Sequence, residues 1–307
     1  MNGPALTGAV AAPDRARFAP GRLPVDPHWW AGAALSVAGL IAVAFQLGGA
    51  GLARAAQSAP TNPLFWLVFA AFYLLGPICE WSVFRRLWRL PASGLAALMR
   101  KQVANELVFG YSGEAQFYLW ARRHAKLSTS PFGAVKDVAM LSAVAGNLVT
   151  LALMAASRGL LARIVASSIG HAFAASAGLI AASSLAMFLL RSRLFSLPAT
   201  ELVAIFATHA VRIFGSMLLL GTLWHLLLPA LSLTGLLVLA TLRMMLSRLP
   251  FLPAKDVVFA GLVGILLGQH APIVPAMAML GGLVIATHVA VAVCAVGAGL
   301  IGKVQHI

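Results

Sequence analysis

The stretch KQVANELVFGYSGEAQFYLWARR, residues 101–123, decides how this chain folds, because it sets two carboxylates in an apolar-looking segment. The chain of 307 residues has only eight acidic side chains, and Glu106 and Glu114 are two of them. Gly110 and Gly113 lie between these carboxylates, and glycines at this spacing interrupt a helix and free backbone groups that hydrocarbon cannot satisfy. The stretch therefore predicts a broken helix that lines a polar cavity. The alternative interpretation is an ordinary cytoplasmic loop with two solvated acids.

Composition indicates a membrane protein. Hydrophobic residues make up 61% of the sequence and charged residues 10%, with a mean hydropathy of +0.91, whereas soluble domains carry about 25% charged residues. We therefore expect an all-α, polytopic helical membrane protein. The formal net charge of +14 comes from basic segments beside apolar spans, as anionic lipid headgroups favour. Nucleic-acid binding is not expected, because the sequence has no basic helix interleaved with aromatic residues.

The apolar runs predict about six full spans and two interrupted or re-entrant segments, or six to eight transmembrane helices. Each full span needs about 20 apolar residues. Residues 1–28 are expected to form a flexible cytoplasmic tail, 29–301 a single helical membrane domain, and 302–307 a short tail. Apolar runs lie at about 29–52, 63–81, 138–156, 169–190, 202–227, 231–246 and 273–301, and the run at 231–246 is the shortest.

Basic residues set the expected orientation. Only Arg54 lies between the first two runs, whereas five basic residues follow the second run within residues 85–101. Arg191 and Arg193 follow a later run in the same way. This asymmetry predicts that the amino terminus and residues 85–101 lie on the cytoplasmic side of a bacterial inner membrane.

A second short segment, at residues 256–267, is too short to cross a bilayer comfortably and predicts a second re-entrant helix. Both short segments show a turn, an acidic residue, a short apolar piece, a Pro-containing break and a long span, so Glu114 and Asp256 correspond. Such segments in corresponding halves indicate a transporter-like site near the midplane. The hypothesis is an internal repeat of 93–157 and 250–301, although Ala- and Leu-rich sequences also align by chance.

Other polar residues lie in or beside the apolar runs. Arg212 interrupts AIFATHAVRIFGSMLLL and is expected to pair with a carboxylate or bind a lipid phosphate, or else to snorkel from a span that starts later. Intramembrane histidines can ligate haem or relay protons, but no pair here has the same-face spacing of a metal or haem site. Helix–helix hydrogen bonds are the favoured role, and no cofactor is expected. These histidines are His171, His209, His225 and His288.

The order of these features resembles the transmembrane, flippase-like domain of the lysylphosphatidylglycerol synthase family of bacterial inner-membrane proteins. The resemblance covers about residues 29–301 and includes an early basic loop, an interrupted segment and later spans. Its first motif is SGEAQFYLWARR, with Gly113 and Glu114, although Phe117 lies near the place where the family usually has Arg. The resemblance implies a lipid-translocating domain. Its second motif is RLPFLPAKD, with Leu249, Pro250, Pro253 and Asp256.

The sequence has no P-loop, GxSxG, HExxH or paired-Asp motif, so enzymatic activity is the less favoured interpretation. We expect the protein to bind or translocate a lipid or other amphiphile, with membrane lipids as its partners. The alternative is a non-catalytic subunit or assembly factor of a larger membrane complex, in which the carboxylates pair with another chain. In the first interpretation, charged groups hold the polar head in an intramembrane cavity formed by Glu106, Glu114, Asp256 and Arg212.

Overall fold

The computed structural model describes residues 60–107, 112–124, 131–156, 170–248, 259, 263 and 273–304. Within these residues the structure is all-helical, without a strand. The predicted tail at 1–28 and the predicted span at 29–52 lie outside the described residues, as does the segment at 256–267 apart from Phe259 and Val263. The helices are α1 Pro63–Trp88, α2 Ser93–Leu107, α3 Ser112–His124, α4 Phe132–Ala156, α5 Gly170–Leu189, α6 Arg191–Leu194, α7 Ala199–Leu227, α8 Leu233–Ser247 and α9 Ile273–Val304.

Three helices of the described part, α1, α4 and α7, are long and apolar enough to cross a membrane. Shorter apolar helical stretches lie in α5, α8 and α9, at Ala174–Leu189, Leu233–Ser247 and Met279–Ala295. The sequence prediction of an all-helical chain with candidate membrane spans is confirmed to this extent. The helices extend beyond several predicted runs, because their ends include polar residues that hydropathy alone leaves out.

Local chemistry fixes both ends of α1. Asn62 caps its start, since the Asn62 side chain accepts a hydrogen bond from the Leu64 amide at 2.9 Å. Pro63 occupies the first helical position, where its missing N–H costs nothing. Arg89 ends the helix in a left-handed conformation with φ 52°, and its amide bonds to the Arg85 carbonyl at 2.8 Å.

A proline inside α1 exposes a carbonyl that a neighbouring helix satisfies. Pro77 has no N–H to donate to the carbonyl of Tyr73 four residues earlier. The side-chain amide of Gln102 in α2 donates to that carbonyl at 3.4 Å. Gly76 leaves room for this contact, since a Cβ there would lie 3.2 Å from the Gln102 side-chain oxygen. The break in the α1 ladder therefore binds α2 to α1 at this level.

Helix α7 lies at the centre of the described bundle and packs against α1, α4, α8 and α9. Two large apolar clusters pack the described bundle, and a smaller third cluster is formed by Ala145, Val149 and Ile213. One cluster is built on Phe65, Phe69, Leu223, Trp224, Leu236, Leu239 and Ile273. The other is built on Val83, Phe84, Leu90, Leu98, Phe117, Val138 and Ile205.

The start of α7 is tied to α4 by Asp137. This carboxylate is fully buried and accepts hydrogen bonds from the backbone amides of Ser196 and Leu197 at 2.6 and 2.8 Å. The neighbouring Lys136 donates to the carbonyl of Leu194. The turn before α7 is therefore held by two adjacent side chains of α4, which fixes α7 relative to α4.

Candidate functional site

The segment quoted at the outset folds as a helical hairpin. The Gly113 amide donates to the Asn105 side chain at 2.7 Å, and the Ser112 hydroxyl donates to the Ala104 carbonyl at 2.8 Å. Residues eight positions apart would be separated by about 12 Å in a continuous helix. The chain therefore reverses between α2 and α3, and the predicted helix break is confirmed. Gly110 lies outside the described residues.

Gly113 permits the close contact between α2 and α3. A Cβ at this position would lie 2.1 Å from the carbonyl oxygen of Lys101 and 2.8 Å from the side-chain oxygen of Asn105. Such distances exclude any larger residue without movement of the backbone. The glycine that the sequence marked as a helix breaker therefore also brings Glu114, the next residue, up to α2.

The hairpin builds a buried group of charges, which we call the charged cluster: Glu80, Lys101 and Glu114. The Lys101 ammonium lies 2.6 Å from Glu80 of α1 and 3.2 Å from Glu114 of α3. The Lys101 side chain is only 6% exposed. One cation therefore joins three helices, and buried charges are tolerated only when they are paired in this way.

The structure describes three of the four residues that the sequence grouped into one cavity. Glu114 belongs to the charged cluster, whereas Glu106 is exposed on α2. Arg212 lies near the middle of α7 and donates to the Ser142 hydroxyl of α4 at 2.9 Å. It also interacts electrostatically with Glu80. Asp256 lies outside the described residues, so the predicted pairing of the two short segments stays a prediction.

Two members of the charged cluster escaped the sequence analysis. Lys101 was assigned to a basic segment between spans, but its side chain is buried between two carboxylates. Glu80 lies inside the predicted run 63–81, and a carboxylate in such a run was the signal that could have identified it. The structure thus brings Glu114 together with Lys101 and Glu80, with Arg212 beside them, while the predicted cavity of Glu106, Glu114, Asp256 and Arg212 stays a prediction.

Glu114 also lines a cavity of about 540 Å³ between α3, α4 and α5, which we call the groove. Glu114, Tyr118 and Lys136 are its polar or amphipathic residues. The Lys136 ammonium is already engaged by Leu194 and by Asp137 at 3.4 Å. The remaining walls are apolar and comprise Ala115, Phe132, Val135, Ala139, Met140, Ala143 and Met187.

One oxygen of Glu114 is left for a ligand. Oε1 lies 3.2 Å from the Lys101 ammonium, whereas Oε2 is buried and has no hydrogen-bond partner within the described ranges. Buried carboxylate oxygens normally accept hydrogen bonds. The groove therefore has mostly apolar walls and is lined by a carboxylate that keeps one unpaired oxygen.

The histidines take structural positions where the structure describes their contacts. The Nδ1 atom of His288 lies 2.8 Å from the Tyr73 hydroxyl, which joins α9 to α1. The Nδ1 atom of His225 lies 3.0 Å from the Leu231 carbonyl. The first contact is the kind of helix–helix hydrogen bond predicted from the sequence. In the part of the chain that the structure describes, His, Cys, Asp and Glu form no group of three that could hold a metal ion.

The fold and the site together define an all-helical protein with candidate membrane-spanning helices, a buried charged cluster and an apolar groove beside it. The chain matches no family model, no curated protein and no solved structure. The groove and the charged cluster are therefore the features from which a function can be inferred.

Proposed function

We propose that this protein binds and translocates a lipid or other amphiphile through the groove, with Glu114 as the residue that holds the polar head. The observation that carries the proposal is that Glu114, whose Oε2 is buried without a hydrogen-bond partner in the described part of the chain, lines a cavity with mostly apolar walls. A volume of about 540 Å³ lies within the range of small-molecule sites, roughly 300–1,000 Å³.

The distribution of side chains along α4 supports an oriented amphiphile. Lys136 lines the groove near the start of α4, and Ala143 lines it seven residues later, which corresponds to about 10 Å along the helix. The polar residues Glu114 and Tyr118 of α3 face this helix, whereas Met187 of α5 adds to the apolar wall. A ligand with its polar head at Glu114 and its hydrocarbon chain beside Ala143 would match the polar and the apolar parts of the groove.

The charged cluster supports the same function, because it holds the Glu114 carboxylate in place through one oxygen and leaves the other without a hydrogen-bond partner in the described part of the chain. Lys101 holds Oε1, and Glu80 shares the charge of Lys101 from the other side. A ligand that donates to Oε2 would bind a carboxylate already held in place, which lowers the ordering cost of binding.

The setting of the groove belongs to the same proposal. We place it in a bacterial inner-membrane protein with about six full spans, two interrupted segments and a cytoplasmic amino terminus. The resemblance to the flippase-like domain of the lysylphosphatidylglycerol synthase family agrees with this function. Its first motif, which contains Gly113 and Glu114, is the segment that forms the hairpin beside the groove.

Filling the groove tests the proposal. Ala139→Trp places an indole in the groove, whereas Ala152→Trp adds the same side chain to an exposed position of the same helix. Native mass spectrometry of protein purified in mild detergent should show lipid retained by wild type and Ala152→Trp and lost from Ala139→Trp. Equal lipid retention by the two variants would refute binding in the groove. Co-purification of stoichiometric protein subunits without lipid would favour the membrane-complex alternative.

A further inference from the structure

A second polar site lies on another face of α4, inside the bundle. Ser142, Gly146 and Thr150 recur every four residues and therefore share one face of the helix. Arg212 of α7 donates to the Ser142 hydroxyl at 2.9 Å. The guanidinium of Arg248, the residue that ends α8, lies against Gly146. Two guanidinium groups from separate helices thus contact neighbouring positions on one face of α4, Ser142 and Gly146, which lie one turn, or about 6 Å, apart along the helix.

Gly146 makes the contact with Arg248 possible. A Cβ at this position would lie 2.1 Å from Nη1 and 2.2 Å from Cζ of Arg248. Glycine weakens a helix interior, and Gly146 is buried within one of the candidate membrane spans. A glycine at position 146 therefore makes room for the planar guanidinium of Arg248.

Arg212 has a donor available for a ligand. Its Nε atom is buried and has no hydrogen-bond partner among the residues that the structure describes. Glu80, which interacts electrostatically with Arg212, is in direct contact with Lys101 at 2.6 Å. Arg248 takes part in further interactions within the protein, but a guanidinium carries five donors in a fork that suits a phosphate.

We propose that Arg212, Arg248 and the Ser142 hydroxyl form a phosphate-binding site between α4, α7 and α8. The ligand is a tetrahedral oxyanion of the phosphate type, because guanidinium groups bind such anions through paired, charge-assisted hydrogen bonds. Anion binding also relieves the repulsion between two cations on one helix face. The site is separate from the groove, which lies between α3, α4 and α5, and it does not depend on amphiphile binding there.

The test uses the full chain in a non-ionic detergent free of phosphate. Inorganic phosphate should raise the thermal unfolding temperature in a saturable way, beyond the effect of chloride at the same ionic strength. Arg212→Gln and Arg248→Gln should each weaken phosphate binding about tenfold or more, the loss of a charged hydrogen bond. Gly146→Ala should do the same without a change of charge. Arg243→Gln, exposed on α8, and Gly281→Ala, with open space around it, are the controls that should bind as wild type does.

A further comparison shows whether the bound phosphate group belongs to a lipid headgroup or is the free ion. Tighter binding of dihexanoyl phosphatidate than of inorganic phosphate assigns a lipid headgroup, and the reverse order assigns the free ion. Equal stabilisation of every variant by phosphate, or no effect beyond that of chloride, would overturn the proposal. If Gly146→Ala does not fold, phosphate binding by Arg212→Gln and Arg248→Gln tests the proposal.

Discussion

The ammonium of Lys101 lies 3.2 Å from Glu114, so the carboxylate that lines the groove is held by a cation from the other arm of the same hairpin. Lys101 contacts Glu80 of α1 at 2.6 Å as well. The hairpin is thereby fixed to the bundle through one buried lysine. The position of Glu114 and the packing of α2 against α1 therefore depend on the same side chain.

The first prediction concerns this lysine. Lys101→Met leaves two carboxylates without their cation, and removal of one partner from a buried ion pair costs about 3–5 kcal/mol. We expect a loss of that size in the free energy of unfolding, measured by reversible denaturation in mixed micelles. Arg86→Met removes the cation of the more exposed pair with Glu201 and should cost less than about 1 kcal/mol. Equal losses for the two variants would show that Lys101 is solvated.

A second prediction concerns Gly113. Gly113→Ala introduces a Cβ that would clash with the Lys101 carbonyl, so α2 and α3 must separate. Such overpacking costs about 1–3 kcal/mol, and the thermal unfolding temperature should fall accordingly. Gly178→Ala, where nothing lies within 4 Å, should leave that temperature unchanged or raise it slightly. A neutral effect of Gly113→Ala would contradict the tight hairpin.

The break in α1 gives a double-mutant prediction. Gln102→Leu removes the donor to the Tyr73 carbonyl, and we expect a loss of about 1–3 kcal/mol for a buried unsatisfied acceptor. Pro77→Ala restores a backbone N–H that can bond to this carbonyl. The double variant should therefore be more stable than Gln102→Leu alone, as unfolding measurements on all four proteins can show. Strictly additive effects would mean that Gln102 does not serve this carbonyl.

The fourth prediction tests orientation. Ser192 is exposed on α6, beside Arg191 and Arg193, and we expect this end of the bundle to face the cytoplasm. In a protein whose native cysteines, Cys79 and Cys294, are replaced by serine, Ser192→Cys should resist a membrane-impermeant maleimide added to intact cells. The same residue should react after the membrane is permeabilised. Strong labelling of intact cells would reverse the proposed topology.

The sequence predicted the helices better than the site, for a physical reason. Length and apolarity are local properties, so the run at 231–246 predicted α8 to within two residues at its start and one at its end. The glycines of the interrupted segment likewise predicted a break between α2 and α3. The Glu80–Lys101 pair depends on how α1 packs against α2, which is not a local property. In the sequence, Lys101 ends a basic run and therefore has the pattern of a surface residue.

The groove could not be predicted from the sequence, because its walls come from α3, α4 and α5. Glu114 was identified as a carboxylate that needs a partner, which agrees with its ion pair to Lys101. Glu106, only eight residues earlier, is exposed. The difference between them arises from the reversal of the chain, which turns one carboxylate towards Lys101 and leaves the other on the surface of α2.

The most direct test of the central claim compares Glu114→Gln with Glu106→Gln in lipid binding. Both changes remove one carboxylate charge from the same hairpin, but only Glu114 lines the groove. With each protein in nanodiscs of phosphatidylethanolamine and phosphatidylglycerol, the amount of a photoreactive lipid crosslinked to Met140 and Met187 should be measured. We predict a fall of about tenfold, the loss of one charged hydrogen bond, for Glu114→Gln and no change for Glu106→Gln. Equal crosslinking of the two variants and the wild type would contradict the assignment of Glu114 as the residue that holds the head.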